Sequence, residues 1–251
     1  MCPMASPKLK LQNITAICVD GREPSEITQG IYRNILRYMC LTFDFAAIKM
    51  LSLQDPEVSG ISFLQIPPMS RTAYSAFCLK SLTDYITTDY CLVFQSDGFP
   101  LNPQFWTEEF LSYDYIGAPW PLYLEFGPLM GQQVGNGGFS LRSKRLLEIT
   151  KTIDYREDRY VPSASTKAEV VLRDAGDLPH EDLIICKHER ELIDAAGLKI
   201  APLDIARRFS FEFPLDAEHT LKSSFGFHGY QAGDLAEALS MIKHALESKD
   251  L

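Results

Sequence analysis

Short apolar runs alternate with amphipathic stretches through the first hundred residues. Residues 14–19 (Ile-Thr-Ala-Ile-Cys-Val) form an apolar run that stops at Asp20-Gly21, the pattern of a buried strand ending in a turn. Ile27, Ile31, Ile35 and Tyr38 then recur at helical spacing behind Ser25, an N-cap residue that follows Pro24. A second strand is predicted around Phe45–Leu51. Tyr74, Cys78, Leu82 and Tyr85 mark a second helix, and Tyr90–Phe94 is a third apolar run, ending at Gln95-Ser96-Asp97-Gly98. This β–α–β–α–β succession predicts the α/β class, with a mostly parallel central sheet flanked by helices.

The second half is less regular. Tyr115–Ala118 reads as a strand entering the Pro119-Trp120-Pro121 turn. Gly135-Asn136-Gly137-Gly138 reads as a loop, followed by Phe139-Ser140-Leu141 and a helix from about Ser143. Residues 154–178 mix charge, Pro, Ser and Gly and are expected to be a mobile excursion. His180–Ala196 is expected to be helical and Leu198–Leu203 a strand. Leu235, Leu239, Ile242 and Leu246 give a C-terminal helix its apolar seam. With no internal repeat and no clear linker, the expected organisation is a loose leader over residues 1–11 and a single domain over 12–251.

Charge narrows the partners. The 251 residues carry 33 acidic and 24 basic side chains, a net charge of -9. Electrostatic binding to a phosphate backbone wants a basic face, so nucleic acid is not an expected partner. An acidic protein that holds a phosphorylated ligand needs a cation or a few well-placed arginines; Arg142, Arg207 and Arg208 are candidates. No apolar run approaches the ~20 residues of a membrane span. The first residues lack the charged-then-apolar order of a secretory signal, and a cytoplasmic protein is expected. The six cysteines are scattered, with no C-x-x-C pair. Cys18, Cys91 and Cys186 lie in apolar runs and read as core residues.

Five places can carry chemistry. Asp20 and Asp97 each follow a predicted strand, where open parallel sheets bind ligands; each also precedes glycine, so turn chemistry accounts for either one alone. Gln95 and Asp97 can both offer oxygen to a hard cation. The Gly135–Phe139 loop lets backbone approach a ligand, though it matches neither a G-K-[ST] phosphate loop nor G-x-G-x-x-G. His180-Glu181-Asp182 is a helix start whose acids suit the helix dipole, or a carboxylate set to act as a general base. His188, eight residues after His180, does not fit zinc spacing and reads as solvated or capping. Phe225-Gly226-Phe227-His228-Gly229-Tyr230 places a histidine among glycines and aromatics, either satisfied by backbone or free to bind metal.

In order and spacing, these motifs resemble a glycosyltransferase-like family catalogued mostly as a domain of unknown function. They are more distantly similar to nucleotide-sugar glycosyltransferases of the GT-A fold, a Rossmann-like single domain. The resemblance spans roughly residues 12–230. It implies an enzyme of the hexosyltransferase type that moves a sugar from a nucleotide-diphosphate sugar, with uridine diphosphate the favoured nucleotide, to a hydroxyl of a carbohydrate or glycan acceptor. A lipid-linked acceptor, and with it peripheral membrane contact, stays open. At matching positions Asp20, Gln95, Ser96, Asn136, Gly137 and Gly138 would line the nucleotide-sugar site. Asp97 and His228 would hold Mn²⁺ or Mg²⁺, and Asp182 would be the base of an inverting reaction, with Glu181 the runner-up. The chain departs from the Asp-x-Asp metal signature in one place: Gln95 replaces the first acid, which weakens metal affinity before the donor adds its own charge.

Two other classes remain open at this level. One is a nucleotidyltransferase or metal-dependent phosphoryl enzyme, which would release pyrophosphate or phosphate. The other is a binding module that keeps the fold without the chemistry, a reading prompted by Gln95. Trp106, Trp120 and Tyr123 either stack on an acceptor sugar or fill the core.

Overall fold

The computed structural model describes residues 7–120, 134–160, 179–229 and 231–248. Tyr123, Tyr230 and most of the 154–178 stretch lie outside the described residues. The chain opens on strand β1, Leu9–Asp20. Leu9–Leu11 already pair with Phe43–Phe45, so the expected leader gives way to strand before residue 11. From Ile14 onward β1 is buried or nearly so at every position, as a central strand covered on both faces must be. Its alternate side chains feed two layers. Ala16 and Cys18 join Tyr32, Ile35, Leu36 and Met39 on one side. Ile17 and Val19 join Leu82, Ile86 and Leu147 on the other.

Helix α1 (Glu26–Thr42) begins where the Ser25 side chain accepts the Thr28 N–H, one of the four donors an N-terminus leaves unpaired. Its buried seam is Tyr32, Ile35, Leu36 and Met39. Ile27, expected on that seam, is 78% exposed because it sits in the first turn, before the helix reaches the core. Strand β2 (Phe43–Ser52) pairs parallel with β1, and β3 (Ser62–Gln65) with β2. Helix α2 (Arg71–Lys80) and a 3₁₀ turn, Leu82–Tyr85, lead to β4 (Tyr90–Val93), which lies parallel to β1 on its other side.

The remaining elements are short. Strand β5 is Gly98–Pro100, β6 is Tyr115–Ile116 and β7 is Ser140–Ser143. Helix α3 (Lys144–Thr150) starts on the Ser143 cap, as expected, and α4 is a single turn, Glu157–Tyr160. Helix α5 (Glu181–Leu183) widens into a π-helix, Ile184–His188, and α6 (Arg190–Ala195) follows. Helix α7 (Leu203–Phe209) runs into β8 (Ser210–Phe211), then β9 (Gly226–His228) and α8 (Ala232–Glu247). The strand expected over Leu198–Leu203 is reduced to one bridge between Ile200 and Tyr115. Pro202 then caps α7, since proline suits a helix start and not a sheet interior.

Six strands form the main sheet in the order β3-β2-β1-β4-β7-β6. Antiparallel β7 is the exception to its parallel run. The mixed α/β architecture with a mostly parallel sheet flanked by helices is therefore the one the sequence predicts. The chain builds outward from β1 to β3 and then returns to the other side of β1 for β4. The crevice beyond β1 and β4 is thus a topological switch point, where open α/β sheets take ligands. A second sheet, β5-β9-β8, sits against a phenylalanine core in which Phe139 stacks on Phe209 at 4.9 Å and Phe99 meets Phe227 edge-on at 4.8 Å. Trp120, 6% exposed, belongs to the core, and the partly buried Trp106 packs against it on Phe110 and Phe225. His188 packs edge-on against Tyr160.

Candidate functional site

At the switch point β1 ends on Asp20. Its Oδ1 accepts the backbone N–H of Arg22 at 3.0 Å and Arg22 Nε at 2.8 Å; its Oδ2 accepts Arg22 Nη2 at 2.8 Å and the Tyr32 hydroxyl at 2.7 Å. Burial works against this carboxylate, but the bonds from Arg22 and Tyr32 outweigh it and hold the group below its ordinary range. Across the crevice, β4 passes into a tight turn closed by reciprocal Gln95–Gly98 backbone bonds of 2.7 and 3.2 Å. Arg22 Nη2 reaches over to the Ser96 hydroxyl at 3.2 Å.

The same turn presents Gln95 and Asp97. Gln95 Nε2 donates to the Tyr74 hydroxyl at 3.0 Å. Asp97 Oδ1 is buried without a hydrogen-bond partner among the described residues, a costly state for a carboxylate oxygen unless something else meets it. Strand β9 pairs with β5 so that His228 lies opposite Gly98. His228 Nδ1 lies 3.2 Å from Glu212 Oε1, which also accepts Asn136 Nδ2 at 2.8 Å. Burial opposes the imidazolium, but the Glu212 bond and the charges of Glu212, Asp97 and Asp182 prevail and raise the His228 pKa. This corner attracts positive charge.

The glycine loop joins that corner to the acidic pair. Gly138 N–H donates to Asn136 Oδ1 at 2.9 Å, and Gly137 N–H to Asp182 Oδ2 at 3.0 Å. A side chain on Gly137 would come within 2.5 Å of Glu181 Oε1; one on Gly138 would collide with His228 Nε2 and lie 2.8 Å from Gln95 Oε1. Two adjacent glycines thus have the acids on one side and the histidine and amide on the other. The backbone can pass between only because neither residue has a Cβ.

Glu181 and Asp182 divide their roles. Glu181 is buried and bonds Arg142 Nη2 at 2.8 Å; Arg142 is fully buried on β7. The pair pins α5 to the sheet. Asp182 is only partly buried. Its pKa is pushed up to about 7, by burial first and the Glu181 charge second, against the N–H bonds from Leu183 and Gly137 and the charge of Arg142. A carboxyl poised there can take a proton near neutral pH. Among the described residues no group of three His, Cys, Asp or Glu side chains is placed to hold a metal ion.

Contacts link most of the residues singled out in the sequence: Asp20 to Ser96 through Arg22, and the Gly137–Gly138 loop to Asp182 on one side and to His228 and Gln95 on the other, while Glu181 is buried on Arg142. Glu212 and Arg22 went unnoticed in the sequence, and Tyr74 reads there only as part of a helix seam. Glu212 is a lone acid between Phe211 and Phe213, and no spacing marks it. Of the arginines considered for phosphate contact, Arg142 is committed to Glu181, while Arg207 and Arg208 pair with Asp216 and Glu109.

The family described as "Protein of unknown function (DUF5672)" matches residues 61–228. A solved structure described as "Crystal structure of a glycosyltransferase involved in the glycosylation of the major capsid of PBCV-1" is similar over 92% of this chain and 98% of that chain, at 16% identity and a TM-score of 0.48. No curated protein matches the chain.

Proposed function

The chain belongs to that family of unknown function (DUF5672), and we propose for it a sugar-transfer activity from a nucleotide-diphosphate sugar to a hydroxyl of a carbohydrate or glycan acceptor. The observation that carries this reading is the glycine pair: Gly137 against Asp182, a carboxyl raised to about 7, and Gly138 against His228 and Gln95. One end of the crevice can accept a proton and the other gathers positive charge. A displacement that creates a leaving diphosphate needs both.

In the proposed reaction Asp182 takes the proton of the acceptor hydroxyl as its oxygen attacks the anomeric carbon. The bond from that carbon to the diphosphate breaks, the nucleoside diphosphate leaves, and the configuration inverts. The sugar is a hexose and the nucleotide uridine diphosphate, both on the strength of the sequence resemblance. Glu181 holds Arg142, which leaves Asp182 the base of the two.

Asp97 and His228 suit a Mg²⁺ or Mn²⁺ ion. Asp97 Oδ1 is an orphaned buried oxygen, and Glu212 on His228 Nδ1 leaves Nε2 as the ring's ligating atom, the arrangement second-shell carboxylates impose on metal-binding histidines. Gln95 adds a neutral amide oxygen. Two protein ligands with donor phosphates completing the shell is how such hard cations commonly bind. Such a cation would neutralise the charge that develops on the leaving diphosphate.

The test is to incubate the protein with nucleotide-diphosphate sugars and Mg²⁺ or Mn²⁺ and identify the nucleotide product. Release of nucleoside diphosphate is expected. Asp182→Asn should slow it by about 10²–10⁴ without weakening donor binding. Pyrophosphate or phosphate as product would mean nucleotidyl or phosphoryl transfer instead, and joint loss of donor binding and turnover would remove Asp182 as the base.

A further inference from the structure

The crevice at the switch point contains a cation that the sugar-transfer reading leaves unused. Asp20 was expected to touch the nucleotide, yet both its oxygens are taken by Arg22 and Tyr32. Arg22 is held differently. Nε and Nη2 are clamped on Asp20, and Nη2 also spans the crevice to Ser96. The side chain as a whole is 62% exposed. With Nε and both Nη2 hydrogens engaged, Nη1 keeps its two donors available, and because the guanidinium is already oriented, little rotamer entropy is lost when an anion binds there.

Its neighbours say which part of a ligand goes where. On one side, at the carboxyl ends of β1, β2 and β3, lies a shallow, open cavity of about 580 Å³ lined by Glu23, Pro24, Gln54, Gln65, Pro67 and Pro68 among others. Its walls are fixed by Gly21–Met69 and Ser52–Ile66 backbone bonds of 3.0 and 3.1 Å and by Gln65 Nε2 on the Leu53 carbonyl at 3.2 Å. The cavity has amides and flat proline faces, and its one charge is the Glu23 carboxylate, so it suits an uncharged heterocycle and repels phosphate. On the other side stands Asp97 with its orphaned oxygen. Arg22 lies between them.

We propose that Arg22 is the phosphate-binding residue of this crevice, gripping the diphosphate of the ligand whose uncharged end occupies the Glu23–Pro68 cavity, and that Asp20 is its brace and not a ligand contact. The diphosphate rests on the sugar-transfer reading. The anion contact itself rests on the geometry of Arg22.

Calorimetric titration in Mg²⁺ buffer with a panel of nucleoside diphosphates, and separately with inorganic pyrophosphate, tests this on wild type and Arg22→Gln. The exposed position lets the variant fold, which its unfolding temperature checks. The expected result is that Arg22→Gln weakens both ligands by about tenfold or more, with Arg22→Lys intermediate because it keeps charge but loses the fixed, oriented guanidinium. Wild type that binds pyrophosphate through Arg22 but binds no nucleotide would keep the anion contact and remove the nucleotide-sugar reading. Nucleoside diphosphate bound equally by wild type and Arg22→Gln would overturn the assignment and leave that reading standing. Wild type that binds neither ligand would also overturn it.

Discussion

Asp182 is the residue whose chemistry depends most on its surroundings. Burial and the Glu181 charge raise its carboxyl to about 7, so the form able to accept a proton is lost below neutrality. Turnover should fall about tenfold per pH unit below 7 and level off above it, which a pH–rate profile will show. Stability has the opposite sign. Between the ordinary aspartate range and pH 7, the folded protein keeps a proton that the unfolded chain has released, so this group favours folding at low pH and that contribution is lost as pH rises through 7. Asp182→Asn removes the dependence. The unfolding temperature of the variant relative to wild type should be higher at pH 8 than at pH 5, and a constant difference would show that Asp182 titrates normally. Two adjacent acids were visible in the sequence, but their division of labour was not. Glu181 faces Arg142, 39 positions away, while Asp182 faces the loop.

At the scale of elements, the buried Arg142–Glu181 pair joins β7 to α5, and Ser75 of α2 lies 3.5 Å from Glu181 Oε2. Removing one partner strands a buried charge. Glu181→Ala should cost about 3–5 kcal/mol in urea unfolding, more than the paired change Glu181→Leu with Arg142→Met, because an apolar pair leaves nothing to solvate. If the double variant were no more stable than the single one, Arg142 would be finding other partners. The elements also show why the two halves of the chain read differently. Strands β1, β2 and β4 are apolar runs because helices cover both sheet faces, and a run of four or more is visible in sequence. Strands β5, β6, β8 and β9 have two or three residues, too few for a period, and their pairing partners lie up to 130 positions away along the chain. Residues 198–203 are apolar enough for a strand, but only Ile200 bridges to the sheet and Pro202 starts a helix at Leu203.

For the whole molecule, the net charge of -9 sets how a diphosphate can bind. Asp97, Asp182 and Glu212 all act on His228 or lie near it, so a nucleotide alone adds negative charge to a negative corner. Nucleoside diphosphate and divalent cation together should therefore stabilise the fold where either alone does little. At a hundredfold excess over Kd the gain is about 2.7 kcal/mol, a rise of roughly 5–10 °C in unfolding temperature for a chain of this size. An equal rise in the presence of chelator would detach Asp97 and His228 from any cation. No helix among the described residues is long and apolar enough to cross a membrane.

The amino-acid sequence by itself determined the α/β class, the strands and helices through β4 apart from the short β3, the cap at Ser25 and the helix start near Ser143, and it singled out eight polar residues and two glycines that the fold sets around the crevice. Each follows from local pattern: periodic burial, capping chemistry, or a polar residue placed just after an apolar run. Only the tertiary structure decided which of these residues act on one another. It paired Asp20 with Arg22, set Glu212 behind His228, buried Arg142 against Glu181 and threaded two glycines between the acids and the histidine. These are contacts between distant segments, fixed by sheet order and packing, and no local pattern encodes them.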